Sequence, residues 1–284
     1  MYKRAWLFPA LVIGCVSAAH GAATRLLLTE IVVSPTEAEF IAIYNPNAER
    51  VELTYYYLAD YESYYKVVTA TPPTSSSDFV VRFPAGSVIE PGETQYVAVG
   101  GAECLNSGCG SGTFSGFGVY PTYEIASSTS ANNSAAVSDM VVPFTGAVGT
   151  AHGLTNAGEL VMLFYWDGVS NLVTDVDYVY YGTASLANPA VNKTGIMING
   201  SNYLPDTVDS SSLHAPLSPA VSGNTSQTCR KVPISEAGQT ATGGNGVGGA
   251  DETSEPSANT WTACEPASIS ATSSDNIFVD GFEN

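Results

Sequence analysis

Few residues in this chain combine side-chain types and spacing that suit chemistry. Asp175 and Asp177 lie two positions apart in an extended segment, and Asp167 lies in the turn before it. Alternate residues of a strand point to one face, about 7 Å apart. Calcium takes carboxylate oxygens as ligands, so calcium bound by these three acids is one alternative. The other is a solvated strand face. The sequence assigns no metal ligand, cofactor-binding residue or catalytic residue beyond this.

Two histidines, His152 and His214, remain once the first 21 residues are set aside. A histidine acts as a base only beside a nucleophile or a metal, and neither has such a residue at a suitable spacing. The chain also lacks Gly-x-Ser-x-Gly, His-Glu-x-x-His and phosphate-binding loop motifs. We therefore expect exposed loop histidines in a protein that is not an enzyme.

Four cysteines follow the same N-terminal segment, and their even number in an exported chain indicates disulfides. Four cysteines allow three pairings. The short polar spacing favours Cys104 with Cys109, which leaves Cys229 with Cys264. A zinc site is the alternative, but neither histidine lies at ligand spacing from a cysteine.

The N-terminus has the order of a secretory signal peptide. Lys3 and Arg4 precede an apolar run over 5–19 and then small residues. We assign 1–21 as the signal peptide of a secreted, extracellular protein. The segment ending at Cys15 also resembles a lipobox, and lipidation there would give a lipid-anchored outer-membrane lipoprotein. Contact with a membrane is expected only in that case.

Composition excludes several other classes of protein. The chain has 27 acidic and 9 basic residues, a formal charge of -18, and no basic residue between Phe83 and Asn192. Neutralising phosphates requires clustered Lys and Arg, so nucleic acid is not an expected partner. The hydrophobic share of 44% supports a packed core rather than disorder.

The extended segments are short and rich in β-branched and aromatic residues, and Pro or Gly turns separate them. Asp167-Gly168 between two such segments is a hairpin signal. The pattern predicts an all-β, antiparallel β-sandwich, with a small closed barrel as the alternative. The predicted strands cover 25–33, 39–44, 51–58, 79–83, 87–89, 94–99, 159–166 and 172–181.

Two regions interrupt this pattern of strands. The first lies within the predicted domain of 24–182, and the second follows that domain. We interpret 101–153 as a long loop insertion on the surface, with the first disulfide inside it. Residues 183–268 form a loop-rich trailing portion within a Gly/Ser/Thr-rich C-terminal extension, with one strand near 259–263. The final 269–284 form a tail that is either a secretion label or a last edge strand.

Several ordered segments carry a family resemblance. They are Glu39–Pro46, Val51–Asp60, Phe83–Gly92, Leu154–Glu159 and Val176–Gly182. In this order they resemble the lamin-tail domain family, immunoglobulin-like β-sandwiches that occur in nuclear lamins and in many secreted bacterial proteins. The resemblance implies an immunoglobulin-like fold without a catalytic set. Residues 228–231, 251–253 and Trp261 resemble the trailing portion of bacterial members, which implies that the tail folds back on the sandwich.

These observations predict a secreted or cell-surface, non-catalytic lamin-tail protein that binds an extracellular protein, a glycan or a surface. A structural surface or matrix component is one alternative. A secreted hydrolase is another, because lamin-tail modules are often joined to nucleases and phosphatases. The tyrosines at 55–57, 61, 64 and 65 either form a binding face or pack against a sheet.

Overall fold

The computed structural model describes residues 22–109, 114–183, 190–207, 214–220, 226–236 and 238–264, together with 267 and 269. Most regular structure in these ranges is β-strand, with two short helices, α1 (Ala102–Ser107) and α2 (Ser257–Thr260). The strands are β1 (Leu27–Ser34), β2 (Phe40–Tyr44), β3 (Val51–Glu52), β4 (Tyr56–Ala59), β5 (Val80–Arg82), β6 (Val88–Ile89), β7 (Thr94–Ala98), β8 (Tyr123–Glu124), β9 (Ser138–Asp139), β10 (Gly158–Tyr165), β11 (Thr174–Gly182), β12 (Met197–Ile198), β13 (Ser201–Asn202), β14 (Ser226–Lys231) and β15 (Trp261–Ala263).

The strands form two main sheets. A seven-stranded sheet has the order β15-β14-β1-β2-β7-β8-β9, and a four-stranded sheet has the order β11-β10-β4-β5. Pairing is antiparallel except at the edge, where β7, β8 and β9 run parallel. Two short ribbons, β12-β13 and β3-β6, complete the set in the described ranges. The all-β prediction is therefore confirmed.

One apolar core joins the two sheets. Alternate side chains of β1, β2 and β7 meet alternate side chains of β4, β5, β10 and β11, as period-two strands require. The outer face of each sheet is covered as well, by the segments 61–69 and 191–203 on one side and by α1 and its neighbours on the other. This explains why the strands read as nearly continuous apolar runs. The principal members of the shared core are Leu28, Ile31, Ile41, Ile43, Val97, Leu58, Val81, Val161, Leu163, Val176 and Val179.

The predicted loop insertion contributes more than a loop. Residues 101–153 contain α1, β8 and β9, and Tyr123 and Met140 enter the shared core. The buried Glu124 carboxylate accepts hydrogen bonds from the Ala102 amide (2.6 Å) and the Ser134 amide (2.9 Å). Because a buried carboxylate needs such donors, Glu124 fastens both arms of the insertion to the sheet.

The tail folds back on the sandwich, as the resemblance implied. Strand β14 lies between β1 and β15, with Ile31 opposite Cys229 and Lys231 opposite Trp261. The segment SQTCRK of β14 was assigned no strand from sequence, because it is polar and basic. The predicted signal peptide (1–21), with Cys15, and the predicted tail of 269–284 apart from Ile269 lie outside the described residues. No helix in the described ranges has the length and apolar character to cross a membrane.

The cysteines confirm one predicted bridge and contradict the other. Cys104, within α1, and Cys109, just after the helix, form a disulfide. Cys229 and Cys264 are not joined to each other. Cys229 points into the core between the sheets, whereas the Cys264 sulfur lies 3.1 Å from the hydroxyl oxygen of Thr228. Successive residues of β14 face opposite sides, so the strand itself separates the two sulfurs.

Candidate binding groove

Asp175 and Asp177 do not share a face, so the predicted calcium ligands do not converge. A register shift in the β10–β11 pair falls between Leu163 and Phe164, which face Asp177 and Asp175. Such a bulge breaks the alternation of side chains. Asp175 lies on the outer face of the four-stranded sheet, Asp177 faces the other sheet, and Asp167 accepts hydrogen bonds within its own turn.

On the outer face, Asp175 contacts a buried lysine. The Lys193 ammonium lies 2.8 Å from the Asp175 carboxylate and 3.0 Å from that of Asp206, and its side chain is fully buried. It also donates to the Tyr64 hydroxyl at 2.7 Å and lies 5.8 Å from the Tyr203 ring centroid. Burial lowers the pKa of Lys193, but the two carboxylates outweigh burial and the pKa lies above its usual value. The lysine stays charged and joins 193–206 to the sheet.

On the inner face, Asp177 contacts a second buried lysine, from β14. The Lys231 ammonium lies 3.2 Å from Asp177, 3.3 Å from Glu236 and 3.2 Å from Glu255, and its side chain is fully buried. Asp177 also accepts a hydrogen bond from the Leu28 amide. The Lys231 ammonium therefore links β14 to the tail segments that carry Glu236 and Glu255. Through Asp177 it also links them to β11 and β1 of the sandwich.

These three carboxylates exceed the charge of Lys231, and the excess alters their titration. Burial, followed by the charges of Asp177 and Glu255, raises the pKa of Glu236, while Lys231 and Arg25 oppose the shift, and the resulting pKa is about 8. The Arg25 guanidinium is 3.9 Å from Glu236. Burial lowers the pKa of Lys231, but Asp177 and Glu255 outweigh burial and hold the pKa above its ordinary value. Lys231 therefore links the tail to the sandwich through these carboxylates.

The histidines lie apart from both lysine clusters. The half-buried His152 places Nδ1 3.1 Å from the Gly149 carbonyl oxygen. His214 is buried, not exposed as expected, and its ring centroid lies 4.1 Å from that of Tyr180. The His214 ring packs over the four-stranded sheet.

The tyrosine-rich segment follows the packing alternative. Tyr56, Tyr57, Tyr61, Tyr64 and Tyr65 are all buried. They cover the four-stranded sheet instead of forming an exposed face. The edge of this tyrosine layer, at Tyr57, meets a surface cleft.

That cleft is a groove on the outer face of the four-stranded sheet, at its β5 edge, with a volume of about 430 Å³. Small-ligand sites typically have several hundred Å³ and an apolar lining with few polar groups. The lining includes Tyr57, Val68, Arg82, Val142, Phe144 and Trp166. We call it the aromatic groove.

The sheet register sets the geometry of the aromatic groove. Tyr57 of β4 lies directly opposite Arg82 of β5 on one side and Phe164 of β10 on the other. The rings of Tyr57 and Phe164 stack at 5.1 Å, and the Trp166 ring lies 6.2 Å from Tyr57. The Trp166 indole N–H donates to the Ser170 carbonyl at 2.8 Å, which fixes the ring in the turn after β10.

Arg82 supplies the polar group of the groove. Its backbone pairs with Val141 in a bridge that extends the sheet edge. Burial raises the pKa of the Tyr57 hydroxyl and the nearby Arg82 guanidinium opposes that shift, while the Arg82 Nε is buried with no hydrogen-bond partner among the described residues. A buried donor without a partner costs free energy, so an acceptor that enters the groove would recover it. Sequence reasoning missed Arg82 and Trp166. The available signal was an arginine followed by 110 residues without Lys or Arg.

A second cleft, of about 530 Å³, has mainly polar walls that include Asn171, Ser201 and Asn245. Its amides already bind the protein itself. Asn245 donates to the Leu204 carbonyl and to Asp206, and Asn171 donates to Ser201. Since these groups are engaged, the aromatic groove is the better candidate site.

Comparisons with known proteins show no family for this chain. No protein-family profile and no curated protein matches the chain. Among solved structures, a DUF4876 family protein from Bacteroides thetaiotaomicron is similar at 14% identity, with a TM-score of 0.44. The match covers 84% of this chain and 70% of that one. This similarity assigns no function.

Proposed function

We propose that the protein is a secreted or cell-surface, non-catalytic module of lamin-tail type that binds a neutral oligosaccharide in the aromatic groove. The observation that carries the proposal is the combination of Trp166, Tyr57 and the unpartnered Nε of Arg82 in one concave site. Aromatic faces pack against the apolar faces of sugar rings, and a guanidinium donates to hydroxyl oxygens.

The charge of the chain favours a neutral ligand. At a formal charge of -18, the protein repels anions at long range. A hydroxyl-rich, uncharged chain avoids that repulsion and still offers acceptors to Arg82. The Cys104–Cys109 disulfide supports export, because such bridges persist in oxidising compartments. The lamin-tail assignment rests on the sequence segments above.

A glycan array with the purified protein tests this proposal, followed by titration of each hit. We expect Trp166→Ala to weaken binding about tenfold or more, as truncation of a central aromatic contact does. Arg82→Gln should also weaken it. Tyr120→Ala is the matched control, because Tyr120 is an exposed aromatic residue (43% exposed) that does not line the groove.

Two results would contradict the proposal. Glycan binding that is unchanged in Trp166→Ala would place the binding site elsewhere. Turnover of a phosphodiester or ester substrate, with no glycan bound, would favour the hydrolase alternative.

A further inference from the structure

A third group of buried acids lies at one end of the four-stranded sheet. Asp60 follows the last residue of β4, Asp78 precedes β5, and Glu159 is the second residue of β10. In an antiparallel sheet the end of β4 adjoins the starts of both neighbours. One carboxylate oxygen from each residue lies within 4.8 Å of the other two, and all three residues are buried. We call this the acidic cluster.

The other two groups of buried acids each surround a lysine ammonium, Lys193 or Lys231. In the described part of the chain, no ion pair includes Asp60 or Asp78. Buried carboxylates without a cation are costly, because desolvation penalises their charge. Within the described ranges, the chain thus supplies a lysine to each of the other two groups of acids but no cation to Asp60 or Asp78.

Two further atoms point to a ligand at this position. Asp60 is fully buried; its Oδ1 accepts from the Phe79 amide at 2.6 Å, but its Oδ2 has no hydrogen-bond partner within the described ranges. The buried hydroxyl of Tyr61, the next residue, also has none there. Burial raises the pKa of that hydroxyl and the negative charges of Asp60 and Asp78 raise it further, so the hydroxyl lies close to the cluster.

The surrounding backbone encloses the acidic cluster. Gly149 and Gly153 donate to the carbonyls of Asp78 (2.9 Å) and Ser77 (3.0 Å), so residues 149–153 lie along the loop before β5. A side chain at Gly149 would meet the Ser76 carbonyl oxygen at 2.1 Å, which keeps the two segments in close contact. The Thr155 amide holds Glu159 at 2.9 Å. These contacts fix the backbone around Asp78 and the carboxylate of Glu159 without any ligand.

We propose that Asp60, Asp78 and Glu159 bind one calcium ion. Calcium binds oxygen ligands at 2.3–2.6 Å in a flexible geometry. Three carboxylates at the separation seen here can supply such ligands. Magnesium retains several waters and needs octahedral geometry, which an enclosed site disfavours. Zinc prefers nitrogen and sulfur, and the cluster offers neither. The ion would join the ends of β4, β5 and β10.

Calorimetric titration of chelator-treated protein with calcium chloride tests the proposal. We expect one equivalent of calcium to bind and to raise the melting temperature, and magnesium chloride at the same concentration to do neither. Terbium should give luminescence on tyrosine excitation, because Tyr61 adjoins the site, and calcium should displace it. Asp60→Asn should lose the heat of binding, and the charge-matched control Asp139→Asn, an exposed residue of β9, should retain it.

The proposal is overturned if the wild-type protein shows no saturable calcium heat and no shift in melting temperature. In that case the acids share protons instead, since burial and Glu159 hold the pKa of Asp60 well above its usual value. Calcium binding that survives in Asp60→Asn would also overturn it. If Asp60→Asn does not fold, the wild-type titration and the Tyr61→Phe variant, which should lose most terbium luminescence, decide the question.

Discussion

Replacement of Lys231 by methionine should destabilise the protein severely. Methionine preserves most of the volume but removes the ammonium from between Asp177, Glu236 and Glu255, which lie 3.2–3.3 Å from it. Removal of one partner of a buried ion pair typically costs about 3–5 kcal/mol, because the remaining charge is left uncompensated. Lys231 is fully buried, so the expected loss in the free energy of unfolding lies in that range.

Arg230→Gln is the matched control on the same strand. The Arg230 side chain is 39% exposed and pairs with Glu30 at 2.9 Å. Exposed pairs contribute about 0–1 kcal/mol, so this variant should lose no more than about 1 kcal/mol. Urea denaturation at pH 7 measures both variants, with unchanged m-values as evidence that the unfolded state is unaffected.

The loss in Lys231→Met should also depend on pH. Without the ammonium, the folded-state pKa values of the carboxyls rise further above their unfolded values. Stability is then retained below the unfolded pKa of about 4 and is lost as the pH rises. The difference from wild type should therefore shrink toward pH 4. Equal losses in Lys231→Met and Arg230→Gln at pH 7 would refute the reasoning.

Three further predictions concern other polar contacts. The folded-state pKa of Glu236 is about 8, so titration of this group should make wild-type stability fall from pH 5 to 8 by up to about 1.4 kcal/mol per pH unit. In Glu236→Gln, the plot of the urea unfolding midpoint against pH should become flatter. An unchanged slope would exclude Glu236 as the cause. Loss of the Cys104–Cys109 bridge in Cys104→Ser should cost about 2 kcal/mol for so short a loop, measured by calorimetry under oxidising conditions, and a variant as stable as wild type would contradict it. Tyr64→Phe removes the hydroxyl at 2.7 Å from Lys193 and should cost about 1.5–3 kcal/mol; a loss below about 0.5 kcal/mol in urea denaturation would contradict the proposed network.

The strands of the sandwich were predictable because their side chains are apolar and the turns between them carry Pro and Gly. The predicted segments at 39–44 and 94–99 became β2 and β7 with ends shifted by one residue. Strand β14 was not predictable in the same way, because its residues are polar and its stability comes from pairing with β1 and β15. Tertiary contacts decide such strands, not local propensity.

The buried charges were harder to predict than the strands. Sequence alternation placed Asp175 and Asp177 on one face, but a bulge in the β10–β11 pair separates them. Each then meets a lysine distant in sequence, Lys193 or Lys231. No local pattern identifies such partners. The aromatic groove likewise joins residues of β4, β5 and three other segments, 67–70, 141–144 and 166–168, so no single segment reveals it.

The indole N–H resonances in a nitrogen–proton spectrum test the proposed binding function most directly. Trp166 lines the groove and is half-buried, whereas Trp261 is buried in the core (3% exposed). Titration with a neutral oligosaccharide selected on the array should shift the Trp166 signal and leave the Trp261 signal in place. Saturable binding that leaves the Trp166 signal unmoved would contradict the account.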